Sequence, residues 1–244
     1  MTIASKLYSP PIIILIRPQM GENIGAVARA MSNFGLCELR IVAPRDGWPN
    51  EKALEMAAGG KDIIQNATIY KNFELAMADI NIAYATTARP RDMAKRVISP
   101  TEAIAEIIMK QSLKTALIFG PERTGLTNEE ITLCDAIINI PTDIKNSSLN
   151  LAQSAVIIGY EWIKASSIAL PIDSSQDNIA CKSDMFSLFE QLENYLDKAD
   201  YFRVPHKKNI MLQNIKNMLL RGAWSEQEIR SFRGMIRSLW ERSK

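Results

Sequence analysis

The stretch Ala116-Leu117-Ile118-Phe119-Gly120-Pro121-Glu122-Arg123-Thr124-Gly125-Leu126-Thr127 constrains this chain more than any other. Four apolar residues in a row have the length and content of a strand buried on both faces. The run breaks at Gly120-Pro121, passes through a charged loop to Gly125 and restarts at Thr127 with a helix-like start. Strand, glycine loop, helix is the unit with which open α/β proteins hold nucleotide-like ligands. Gly120 and Gly125 have P-loop spacing, but a P-loop needs a lysine next, to reach the phosphates, and the residue here is Leu126. The loop therefore cradles something other than a triphosphate.

The first two hundred residues alternate short β-like runs with helical patterns. Strands are predicted at Ile12–Ile16, Leu39–Ala43, Ala67–Tyr70, Ile82–Thr86, Thr115–Phe119 and Ala136–Ile140. Helical patterns lie near 23–34, 51–65, 72–79, 100–112, 127–134 and 149–165. This alternation predicts an α/β fold, a mostly parallel sheet with helices on both faces. Residues 166–184, rich in Ser, Asp and Pro, read as a linker between a body (1–165) and a helical C-terminal extension (185–244). The extension carries a stripe at Phe186, Phe189, Leu192, Tyr195 and Leu196, then helical patterns at Ile210–Leu220 and Glu226–Trp240. About sixty residues of helix bury little apolar surface alone, so the extension is expected to pack on the body or on a second subunit.

Three loops at predicted strand ends carry the polar residues of interest. The first opens the helix near 23–34, where Ile24, Val27, Ala28 and Met31 share one face and Arg29 points away from it. Asn23 can cap this helix, and the start suits either an anion or a plain strand-to-helix turn. The second, Thr86-Thr87-Ala88-Arg89-Pro90-Arg91, offers two hydroxyls and two arginines, either as an exposed turn or as a phosphate contact. The third leads through Ile140-Pro141 to Asn146-Ser147-Ser148-Leu149-Asn150. Ser147 or Ser148 reads as the N-cap of a core helix, which accounts for the serines but not for Asn150 and Gln153.

Composition narrows the class. Of 244 residues, 47% are hydrophobic and 23% charged, as in ordinary globular domains. The longest aliphatic run, Ile12 to Ile16, is too short to span a bilayer, and the first residues lack the pattern of a signal peptide. Three scattered cysteines suit the cytoplasm, and with one histidine, His206, a metal site is not expected. The formal charge is only +2, yet Tyr201 to Lys244 holds ten Lys or Arg against three acidic residues. A basic tail on a mildly acidic body suits a polyanionic partner, a solvated helix face or a dimer contact.

Three segments, taken in order, resemble the motifs of the SPOUT superfamily, in the TrmH-like branch that methylates ribose 2′-hydroxyls. The first is similar to Asn23-Ile24-Gly25-Ala26-Val27-Ala28-Arg29-Ala30 through Asn33-Phe34-Gly35, the second to Phe119 through Leu126, and the third to Ser147 through Gln153 with Tyr160-Glu161. The tail, with Leu188-Phe189 and Arg233-Gly234-Met235-Ile236, resembles the helical extension of the bacterial TrmJ group. The resemblance implies an α/β fold with a C-terminal trefoil knot, a homodimer, and S-adenosylmethionine as cofactor. It implies a cytoplasmic enzyme acting on the 2′-oxygen of nucleotide 32, cytidine or uridine, in the tRNA anticodon loop. Carried over by motif, the cofactor residues are Thr86, Thr87, Ala88, Gly120, Ile140, Ser147, Ser148 and Leu149. The catalytic residues are Arg29, Asn23, Ser148 and Asn150, and Arg29, Arg89 and Arg91 contact RNA. Gly120, Ile140 and Leu149 suit a slim apolar slot for adenine. Pro121 departs from relatives that carry a polar residue there, and it offers no N–H. The family proposal makes Arg29 the base. Since a guanidinium is a poor base, Arg29 is expected instead to orient the ribose and stabilise alkoxide charge. Two other readings fit the residues: a related methyltransferase acting elsewhere on tRNA or on ribosomal RNA, and a non-catalytic RNA-binding module.

Overall fold

The computed structural model describes residues 8–88, 95–166 and 179–242. Seven strands, β1 (Ile12–Ile16), β2 (Leu39–Val42), β3 (Thr68–Tyr70), β4 (Ile82–Thr86), β5 (Val97–Ile98), β6 (Thr115–Phe119) and β7 (Ala136–Ile138), form one sheet in the order β3-β2-β1-β6-β4-β7-β5. Every neighbouring pair is parallel. The continuous apolar runs are explained by burial on both faces. Ile13 and Leu15 of β1 point into one core and Ile12, Ile14 and Ile16 into the other.

The larger core holds α1 (Gly21–Asn33), α5 (Pro100–Met109) and α7 (Leu151–Ser166) against the sheet. Ile24, Val27, Ala28 and Met31 are buried there, as their spacing requires, and Arg29 is exposed. The opposite face is covered by α4 (Phe73–Met77) and α6 (Asn128–Thr132). The helical pattern near 51–65 is broken into α2 (Glu51–Met56), a 3-10 turn at Ala58–Gly60 and α3 (Lys61–Gln65). The break falls at Ala58, whose φ is +46°, and Gly60 comes so close to α1 that a Cβ there would stand 2.4 Å from Ala28 O.

The extension forms α8 (Lys182–Lys198), α9 (Lys208–Leu219) and α10 (Glu226–Arg242). Helix α8 thus begins three residues before the extension read from the sequence. The tail packs on the body of the same chain. Lys182 N donates to Ile80 O at 2.8 Å, Asn81 Nδ2 to Ile179 O at 2.8 Å, and Phe186 and Leu133 lie between the second core and the tail's own cluster. Only Ile229 of α10 is buried.

Candidate active site

The segments that follow β4, β6 and β7 meet where those strands end. Because β4 lies between β6 and β7, segments far apart in the chain become walls of one cleft of about 210 Å³. Thr86, Thr87 and Ala88 come from the end of β4, Gly120 from the loop after β6, and Ile140, Ser147, Ser148 and Leu149 from the segment before α7. All eight residues expected to hold a cofactor therefore stand around this cleft. Thr87 N donates to Ile138 O at 3.2 Å and Asn139 Nδ2 to Thr87 O at 3.4 Å, which joins two of the walls. The Thr86 hydroxyl is buried and has no hydrogen-bond partner among the described residues. Such an orphan asks for a ligand or water, since nearly all buried polar groups are paired.

The glycines of the loop are needed for its own closure. Gly125 has a φ of +66° and its N–H donates to Pro121 O at 2.8 Å. A Cβ on Gly120 would stand 2.4 Å from Leu126 N. Gly120 lines the cleft, and a side chain there would also collide with the returning backbone of its own loop. The missing N–H of Pro121 is matched by the use of its carbonyl in this turn. Beyond it, Thr127 and Glu130 form a capping box at α6, and Glu130 also pairs with Arg17.

The expected cap positions are corrected. Helix α1 has Met20, not Asn23, at its N-cap. Asn23 lies one turn inside and reaches across: its Nδ2 donates to Glu122 Oε1 at 2.8 Å, and its Oδ1 accepts from Asn150 Nδ2 at 3.2 Å. Gln19 N donates to the other Glu122 oxygen at 2.9 Å. Neither Ser147 nor Ser148 caps α7. Asn150 does, accepting from Ala152 N at 2.8 Å while its own N–H donates to Gln153 Oε1 at 3.1 Å. Capping thus explains Asn150 and Gln153 and leaves the serines, both exposed, to the cleft.

Of the expected catalytic residues, Asn23 and Asn150 touch and Ser148 lines the cleft. Arg29 sits in an adjoining apolar groove with Leu149 and Gln153, so Leu149 borders both spaces. Its guanidinium has no protein partner among the described residues. Arg89 and Arg91 lie outside the described residues. Sequence reasoning missed Glu122, which joins the Asn23–Asn150 pair to the loop. Its only signal was a carboxylate inside a glycine loop. Among the described residues no group of three or more His, Cys, Asp or Glu could hold a metal ion, and no helix is long and apolar enough to cross a membrane.

Residues 10–160 match the SpoU rRNA Methylase family. A relative from Klebsiella pneumoniae named tRNA (cytidine/uridine-2′-O-)-methyltransferase TrmJ is 31% identical over 95% of this chain and 97% of its own length. The crystal structure of TrmJ from Z. mobilis is 39% identical with a TM-score of 0.87, over 95% of this chain and 99% of that one. The SpoU methyltransferase AviRb from Streptomyces viridochromogenes, solved in complex with the cofactor AdoMet, shares the fold at 21% identity. Its TM-score is 0.53, over 67% of this chain and 60% of that one.

Proposed function

The chain belongs to the SpoU rRNA methylase family, and from that premise we propose that it methylates a ribose 2′-hydroxyl of tRNA with S-adenosylmethionine as donor, at nucleotide 32 of the anticodon loop. The observation that carries this reading is the convergence on one cleft of every residue the family motifs assign to the cofactor, with the Asn23–Asn150 pair beside it. The Thr86 hydroxyl and the exposed Ser147 and Ser148 suit the polar ends of the cofactor, and Ile140 and Leu149 suit its adenine. Bound there, the cofactor supplies a methyl group on a sulfonium, open to in-line displacement. With this family goes a knotted path through the segments after β6 and β7.

The chain's own residues must orient the ribose and stabilise the oxygen as its proton leaves. Arg29, exposed and without a protein partner among the described residues, is free to pair with a phosphate and the developing alkoxide. Asn150, held by Asn23, adds an amide at the rim. Glu122 is the one carboxylate among the described residues lining the cleft, and both its oxygens already accept N–H donors. It therefore positions Asn23 and does not act as a base, and the 2′-hydroxyl proton leaves to the substrate's own phosphate or to water.

We read the molecule as a cytoplasmic homodimer that needs no metal. The apolar groove between α1 and α7, with exposed Met56 and Val156, supports a subunit contact there, which light scattering tests. The basic extension 185–244 suits the phosphates of the anticodon stem, and neutralising exposed Arg237 should reduce the salt slope of tRNA binding. Arg89 and Arg91, which follow β4 in the sequence, are proposed to join Arg29 on the RNA. The deciding experiment is primer extension at limiting dNTP on unmodified tRNA treated with enzyme and cofactor. A cofactor-dependent stop at nucleotide 32 is expected. A stop elsewhere removes the position and keeps the chemistry, and no stop on any RNA removes both.

A further inference from the structure

A second cavity, of about 560 Å³, lies at the opposite edge of the sheet. There β4, β5 and β7 begin, and α8 and α9 pack on the body. Its wall carries five cationic side chains, Lys95, Arg96, Lys110, Lys182 and Arg221, against two carboxylates, Glu106 and Asp135. Both carboxylates are already committed. Asp135 accepts Lys182 Nζ at 2.6 Å through Oδ1 and the Ala83 N–H at 2.7 Å through Oδ2. Glu106 takes the Arg96 guanidinium on both oxygens and the Tyr84 hydroxyl at 3.0 Å. Lys95 is left with the carbonyl of Thr132 at 3.0 Å, and among the described residues it has no ion pair. Across the same wall Asn217 is 4% exposed, and its amide oxygen has no hydrogen-bond partner among the described residues. Ile82, Met185, Leu220 and Trp224 supply an apolar side.

We propose that this cavity binds a phosphate monoester that carries a sugar or ring, such as a nucleoside monophosphate. A phosphate monoester brings about −1.5 to −2 charges at pH 7, which the excess of three cations over carboxylates can neutralise. A sugar hydroxyl can donate to the orphaned Asn217 oxygen, and the apolar side can hold a ring. The volume falls in the range of small-molecule sites, about 300–1,000 Å³. Lys95 and Lys110 belong to the body, Asn217 and Arg221 to the tail, so the ligand bridges the two. The proposal does not rest on the methyl-transfer reading.

Burial supports it by lowering the Lys95 ammonium to about 8, with the charges of Lys182 and Arg221 acting in the same direction and Cys134 and Asp135 against it. A bound anion restores the charged form, so affinity should fall as pH rises past that value.

The test titrates AMP and inorganic phosphate into the full-length protein by calorimetry, with circular dichroism melts to show that variants fold. Saturable binding of one equivalent is expected, weakened about tenfold or more by Lys95→Gln and by Arg221→Gln. AMP affinity should drop about tenfold from pH 7 to pH 9, as Lys95 discharges while the phosphate stays ionised. Lys95→Arg should bind and lose that dependence. Displacement of AMP by tRNA would assign the site to a terminal RNA phosphate, and no displacement would assign it to a free nucleotide. No saturable binding of either probe at about 10 mM, or binding that both glutamine substitutions leave unchanged, overturns the proposal.

Discussion

The two edges of the sheet are finished in opposite ways. Where strands begin, charges occur in closed groups. Buried Arg40 donates to Asp79, Glu38 and the Ala76 carbonyl, Lys114 joins Asp79, Asp135 holds Lys182, and Glu106 holds Arg96 and Tyr84. Where strands end, amides link loop to loop and several groups stay open: Arg29, the Thr86 hydroxyl, Ser148. A charge already held in an ion pair is less available to a substrate. The first edge therefore secures the fold, and the second leaves its groups for chemistry. Lys95 stands out on the closed edge because it has a carbonyl partner but no ion pair among the described residues.

The contrast breaks first, if it breaks, at Asp135. Asp135→Asn strands the Lys182 ammonium, whose side chain is 3% exposed, and should cost about 3–5 kcal/mol in urea unfolding. A loss under about 1 kcal/mol would mean the closed edge does not carry the fold. Arg29→Ala should do the reverse. Methyl transfer falls about 10²–10³-fold, while the melting temperature and cofactor affinity stay near wild type. Arg29→Lys should also be poor, since an ammonium lacks the planar fork, and full activity in the lysine variant would rule out bidentate positioning.

Glu122→Ala sharpens the comparison, because it is an acid that serves the open edge. Freed from it, Asn23 and Asn150 lose their alignment, and single-turnover rates should drop about ten- to hundredfold. A change in cofactor Kd alone would place Glu122 on the cofactor instead.

Acid should find the closed edge. The Arg40 guanidinium, with Lys114, holds the Asp79 carboxyl well below the usual carboxylate range. Because the folded state binds this proton less readily than the unfolded chain, the stabilisation is present above about pH 4 and is lost as pH falls further. Asp79 is partly exposed, which discounts the effect to about 1–2 kcal/mol. Asp79→Asn should remove that share of the acid sensitivity, as chemical denaturation at pH 5 and pH 2 would show. The smallest effect is expected at Thr86→Val: stability unchanged or slightly raised, and cofactor affinity lowered by about 0.5–1.5 kcal/mol. If calorimetry finds affinity unchanged, the orphan hydroxyl belongs to a water.

Much of this was legible in advance, for reasons particular residues make plain. Strands β1, β4 and β6 were readable to the residue, because burial on both faces demands an unbroken apolar run. Strand β5 was not, since Val97–Ile98 is too short to show a period. The walls of the cleft were readable through motif resemblance. The links across it were not, because Asn23 finds Glu122 and Asn150 99 and 127 positions away. Cap residues were misread because serine and asparagine are equally good caps, and the choice between them is made by where the chain turns. Lys182 lay in a stretch that reads as a linker, and nothing local says that its ammonium is buried on Asp135.

The place of β6 has a consequence for how the chain comes together during synthesis. β6 pairs with β1 on one side and β4 on the other, yet both of those strands leave the ribosome first. Until residues 115–119 emerge, β1 and β4 each present an unpaired edge, the kind of surface on which strange strands dock. The late strand must then enter between them as a wedge, closing long loops on both sides, which slows folding. Its arrival also carries in Gly120 and the loop that completes the cleft. The nascent protein thus gains its central strand and this wall of its site in one step, and no earlier fragment can hold the cofactor in a finished pocket.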